Sequence, residues 1–155
     1  KECNAINSGK EIDKTFFINA IEFIKNYADK FHHAKEEDIL FEEFNESAKD
    51  GCVHCNPVEQ MLIEHDEGRA NVKLMKEGLE NNDKRKLIFG ARGYAQLIRE
   101  HIFKEDNILY PMTEEALSEK TKKEMLKKYE KIAEERKKEI EKYIKFVKES
   151  WRKNS

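Results

Sequence analysis

The sequence predicts an all-α protein, an up-down antiparallel four-helix bundle, and three observations lead there. Of the 155 residues 40% are charged and 38% hydrophobic, with Lys, Glu, Leu, Ile and Ala abundant, a composition that favours helix. Only two prolines and six glycines leave little turn chemistry for a sheet. Apolar residues recur every three or four positions along four stretches, and strand alternation is absent.

The first helix is expected from about Thr15 to Asn45, where Phe17, Ile21, Ile24, Ala28, Phe31, Ile39 and Leu40 keep helical spacing. The run "ESAKDGCVHCN" ends it. Asn56 as N-cap, Pro57 at the first helical position and Glu59 at the third then start a second helix that reaches about Glu80. A third begins at Asp83, another capping residue, and is expected to stop near Tyr110, because Pro111 disfavours helical geometry in the residue before it. The last, from about Ser118 to Trp151, is amphipathic through Met125, Tyr129, Ile132, Ile140, Tyr143, Val147 and Trp151. Short loops between long helices make antiparallel neighbours, so residues 1–155 read as one domain, with the C-terminal helix at about 118–152.

Charge and cysteine content narrow the function. The 30 basic and 32 acidic residues are interleaved and leave a formal charge of −2, so no basic stripe exists to follow a nucleic-acid backbone. No apolar run approaches the roughly 20 residues of a membrane span, and no signal-peptide pattern opens the chain. Three cysteines, an odd count, argue against a disulfide framework, and a cytoplasmic location is expected.

The chemistry lies in the histidines. His32 and Glu36, His33 and Glu37, and His101 and Glu105 are each four residues apart, which on a helix places the two side chains on one face. That spacing alone is weak, and the face is the better test. Stepping through Ile21, Ile24 and Ala28 lands on His32, Glu36 and Ile39, so His32 and Glu36 are expected inside. His33 continues back to Asp29, Lys30 and Asn26 and is expected nearer the edge. His65 and Arg69 fall on the stripe of Val58, Met61, Leu62 and Val72. His101 and Glu105 fall on that of Leu87, Ala91, Tyr94, Ile98, Ile108 and Met112.

One inward histidine is ordinarily a hydrogen-bonded core residue. Three of them, with two glutamates and an arginine whose unpaired burial would cost several kcal/mol each, must pair mutually or bind something. A nitrogen and carboxylate donor set suits iron first, with manganese or zinc behind. The ferritin-like di-iron plan needs Glu-x-x-His on two helices, and the chain contains none.

The stretches "HHAKEEDILF", "MLIEHDEGRA" and "LIREHIFKEDNILYPM", in that order over about residues 14–112, resemble the second, third and fourth helices of the hemerythrin-like, HHE cation-binding family. The resemblance implies a non-haem di-iron centre, with His32, His65 and His101 as ligands and Glu36 and Glu105 as bridges. It also implies a further first helix with another histidine, which this chain does not show. Because the chain opens on Lys1 rather than Met, a preceding segment is expected, and the helix from Ser118 is then an addition to the family plan. Five ligands do not saturate two irons, so either His33, Glu37 or Asp106 joins, solvent fills in, or only one metal binds firmly. Where hemerythrins carry a second histidine on the third helix this chain has Arg69, which cannot ligate a cation and is expected to donate to a bridging carboxylate or bound anion.

The function this implies is binding, sensing or scavenging of a small ligand, O2, NO or peroxide. Catalysis beyond binding does not follow from the residues. The alternatives are iron storage or iron–sulfur repair, and a metal-free helical module whose last helix docks a partner or a second copy as a homo-oligomer. Cys52, His54 and Cys55 form a separate loop group, with three ligands where structural zinc needs four.

Overall fold

The computed structural model describes residues 1–48 and 56–154. Cys52, His54 and Cys55 lie outside the described residues, as does the Trp151 side chain. Helix α1 (Glu2–Asn7) precedes the long helix α2, residues 14–47. Helix α3 is Val58–Glu80, α4 spans residues 84–116, α5 is Glu119–Glu135 and α6 is Lys137–Asn154. Among the described residues there is no strand, and no helix is long and apolar enough to cross a membrane.

The capping residues place the helix starts. Asp83 accepts from the Lys86 amide and Ser118 from the Thr121 amide, each satisfying a first-turn N–H. Asn56 Oδ1 accepts from the Val58 amide at 2.9 Å, so Pro57 sits one position earlier than expected, as the N-cap itself. Helix α1 was not foreseen. It docks through Ile6, with Arg92 donating to Asn4 Oδ1 at 2.8 Å.

Two expected boundaries are corrected. Helix α4 does not stop at Tyr110 but runs to Ala116, because a π-helical turn at Glu105–Leu109 precedes the proline. There the Tyr110 amide bonds the Glu105 carbonyl five residues back, and this wider turn relieves the clash a proline ring makes inside an α-helix. The C-terminal helix breaks at Arg136 (φ −106°, ψ 11°), which ends α5 before α6 begins.

Met61 and Val58 of α3 pack with Phe44 of α2 and Leu109 of α4, while Val72 and Met75 pack with Ile21, Phe17 and Leu87. Thus α3 runs opposite to α2 and α4. Met125 of α5 joins Phe44 and Leu109, and Phe146 of α6 meets Phe16 at 6.4 Å and Phe23 at 6.3 Å, so α5 and α6 run back along α2. The kinked pair is the fourth, descending member of the up-down bundle. Two apolar clusters, one at each end, leave a polar layer between them.

Long stretches of α2 are also π-helical, Ile24–His33 and Glu36–Leu40. More residues per turn shift the buried face relative to the 3.6-residue reading.

Candidate metal centre

Side chains from three helices meet in the polar layer. Helix α2 brings His32, His33 and Glu36, α3 brings His65, and α4 brings His101 and Glu105. Nitrogens of His33, His65 and His101 lie within 4.8 Å of one another, and so do a His32 nitrogen and one oxygen each from Glu36 and Glu105. The five expected residues therefore converge, but the order of the adjacent histidines reverses. His33 is 5% exposed and stacks on His65 at 3.9 Å between ring centres, whereas the His32 side chain is 42% exposed. The edge position expected for His33 assumed 3.6 residues per turn, and the π-helical Ile24–His33 does not keep that period. The π-helical turn at Glu105–Leu109 in α4 likewise exposes Ile108 and buries Leu109.

The glutamates stand between the two groups. Glu36 Oε1 is 3.8 Å from His32 Nε2, and its Oε2 is 3.6 Å from His65 Nε2. Glu105 Oε1 is 3.6 Å from His32 Nε2 and 3.1 Å from His101 Nε2. Tyr110 donates its hydroxyl to Glu36 Oε1 at 2.9 Å. Asp106 is exposed and takes no part.

A second ring of carboxylates orients the imidazoles. His65 Nδ1 is 2.7 Å from Glu37 Oε1, and His101 Nδ1 is 2.9 Å from Glu64 Oε2. An ionised carboxylate only accepts, so both Nδ1 atoms donate and both Nε2 atoms turn inward. The two Nε2 atoms approach to 3.2 Å, which needs a cation between them: either a proton on His101, which burial opposes but Glu105 and Glu64 favour more strongly, or a metal ion. Two ligands about 2.1 Å from one metal and at right angles to it stand about 3 Å apart, so the spacing fits a shared ion. Glu64 is itself held by Gln60 at 2.7 Å and by Lys104.

Charge is distributed unevenly. Burial depresses His33 to about 3 and His65 to about 4, keeping both rings neutral with a lone pair free for a metal. Burial raises Glu36 to about 7. Burial opposes ionisation of Glu105 too, but His101 and His32 outweigh it and hold its carboxyl far below the ordinary range.

Both nitrogens of His33, Oε2 of Glu36 and Oε1 of Glu105 are buried without a well-aligned hydrogen bond, and Glu105 Oε1 keeps only its charged contacts with His101 and His32. Each such atom costs about 1–3 kcal/mol, and all four belong to the cluster. The residues present thus fit a bound cation, since neutral imidazole and carboxylate are the donors that iron, manganese and zinc accept.

The profile of the hemerythrin HHE cation-binding domain matches residues 3–113, well over half of the chain. The chain belongs to this family. No curated protein and no solved structure matches it.

In this HHE chain Arg69 does not reach Glu36 or Glu105 as expected. It donates to Glu37 at 2.7 Å, Asp29 at 2.9 Å and Asp66 at 2.9 Å, and so fixes the carboxylate behind His65. The three-histidine side is completed instead by His33. Glu64 was missed in the sequence because a carboxylate adjacent to a histidine makes no four-residue pair. Its place three residues after Met61 and four before Gly68 put it on the buried stripe.

Cavities flank the HHE cluster. One of about 210 Å³ touches His33 and His65 and is bounded by Ile24, Gly68, Val72 and Tyr94. Another of about 260 Å³ touches His32 and Glu36 and is bounded by Lys35, Tyr110, Met125 and Tyr129.

Proposed function

We propose that this HHE protein holds a non-haem di-iron centre that binds a small ligand, O2, NO or peroxide. His33, His65 and His101 would hold one iron, His32 the other, and Glu36 and Glu105 would be the carboxylates shared between them. Against the five-ligand set implied by the family resemblance, the addition is His33, which stands in for the histidine replaced by Arg69. The observation that carries the reading is Glu36, whose two oxygens face different histidine groups. Bound iron would supply an open coordination position and a redox-active ion.

The protein's own residues do the rest. Glu37 and Glu64 fix the tautomers of His65 and His101, which aims their lone pairs and raises their basicity. The cavity beside His33 sets apolar walls at Ile24, Val72 and Tyr94 next to the charged side chains of Asp29, Arg69 and three lysines, and the Tyr110 hydroxyl steadies one oxygen of Glu36. On the His32 side Lys35 and Tyr129 line the cavity as hydrogen-bond donors for an oxygen-bearing ligand, while the one O–H of Tyr110 is held by Glu36.

The test is elemental analysis of anaerobically purified protein, with absorption spectra before and after air. About two irons per chain, with new bands on oxygenation, support the reading. One zinc or no metal would overturn it. Many irons per chain would favour storage. A metal-free module predicts no change in stability on adding chelator, and it leaves the buried nitrogens of His33 unexplained.

A further inference from the structure

The register of the π-helical segment Ile24–His33 decides which of two adjacent histidines faces His65 and His101, so whatever holds that register sets the donor group. π-Helical turns ordinarily occur singly. Ten residues of such geometry need outside support, and the C-terminal pair supplies it at one point.

Arg136 sits where α5 breaks from α6, and its side chain reaches back to α2. Nη1 donates to the Lys30 carbonyl at 2.6 Å and Nη2 to the Asn26 carbonyl at 3.1 Å. Both acceptors belong to the π-helical segment. The guanidinium also lies over the buried Phe31 ring at 5.6 Å. Its Nε bonds Glu139 Oε2 at 3.0 Å, which fixes the plane of the fork. A rigid fork with several donors suits two carbonyls at once, whereas a lysine ammonium on a flexible stem serves as a single point.

We propose that Arg136 is a positioning residue, which clamps the Asn26 and Lys30 carbonyls and thereby keeps His33 turned into the three-histidine group. Without the clamp the segment relaxes toward ordinary α-helix and His33 moves to the exposed edge that the 3.6-residue period assigns it. The ligand role of His33 rests on the proposed metal centre. The placement of its ring does not.

The experiment labels metal-free, full-length protein with diethylpyrocarbonate and locates modified residues by mass spectrometry. In the unaltered chain His32 reacts and His33 is protected. Arg136→Ala is expected to raise His33 labelling to the rate of His32, and Arg136→Lys to raise it partway. Met125→Ala, a cavity in α5 with the clamp intact, is expected to leave His33 protected. Protection of His33 in both folded Arg136 variants overturns the proposal, as does equal exposure in Met125→Ala at a matched loss of Tm. If Arg136→Ala does not fold, Arg136→Lys decides. A cobalt(II) titration then separates the two readings. Loss of the same equivalent in Arg136→Ala and His33→Ala, with no further loss in the double variant, supports the clamp. If no variant binds cobalt but the labelling pattern holds, the metal reading fails and the clamp stands.

Discussion

His65 and His101 each rest a ring N–H on a carboxylate outside the central cluster, and removing that carboxylate's charge tests whether it tunes the donors. Glu64→Gln keeps the shape but donates or accepts more weakly, and it also strands Lys104. A loss of about 10–100-fold in metal affinity is expected, measured by competition with a chelator of known strength. An unchanged affinity would make Glu64 a spectator. His33 allows a second test in the metal-free protein. Its folded value of about 3 lies below the ordinary 6.5, so the unfolded chain takes up a proton that the folded chain refuses. Stability is therefore full above about pH 6.5 and falls as pH drops toward 3. In His33→Leu the denaturant midpoint should depend less steeply on pH across that window, and an unchanged slope would mean the ring titrates freely.

At the scale of the element, the approach of α3 to α4 depends on Gly78, where a Cβ would stand 2.4 Å from the Leu87 backbone nitrogen. Backbone cannot swing aside as a flexible side chain can. Gly78→Ala should cost about 1–3 kcal/mol, read as a fall in Tm of about 2–4 °C for each kcal/mol. Gly68→Ala meets Tyr94 at an ordinary 3.6 Å and should leave Tm nearly unchanged. The helices themselves were legible because Asn56, Asp83 and Ser118 carry capping chemistry and the apolar spacing runs uninterrupted between them. Their interior geometry was not. No residue type announces a π-helical turn, so a strict 3.6-residue count placed His33 at the edge and Ile108 inside, and Pro111 was expected to end α4 near Tyr110. The break at Arg136 has no glycine or proline to mark it. The convergence of His32, Glu36, His65, His101 and Glu105 could be anticipated because each lay on an apolar stripe. The carboxylates behind them were legible only in part: Glu37 pairs with His33 by spacing and Glu64 lies on a buried stripe, but their contacts with His65 and His101 arise only once the helices pack.

Across the whole molecule, an apolar cluster seals each end of the bundle and the histidine and glutamate layer lies between. That layer holds buried atoms with no hydrogen-bond partner and two imidazole Nε2 atoms 3.2 Å apart. It is the least stable layer without a cation, and a metal that binds only the folded state should therefore raise the stability of the entire fold. The gain follows from mass action, about 2.7 kcal/mol at a free metal concentration 100 times Kd. Thermal melts of metal-free protein with and without added iron(II), under anaerobic conditions, should show a concentration-dependent rise in Tm that chelator reverses. His101→Ala removes a donor of the three-histidine side and leaves Glu64 without its ring partner, so its metal-free Tm should drop and most of the metal-dependent rise should vanish. A full rise in His101→Ala would place the binding elsewhere on the chain, and no rise in the unaltered protein would leave protons, rather than metal, as the cations of this layer.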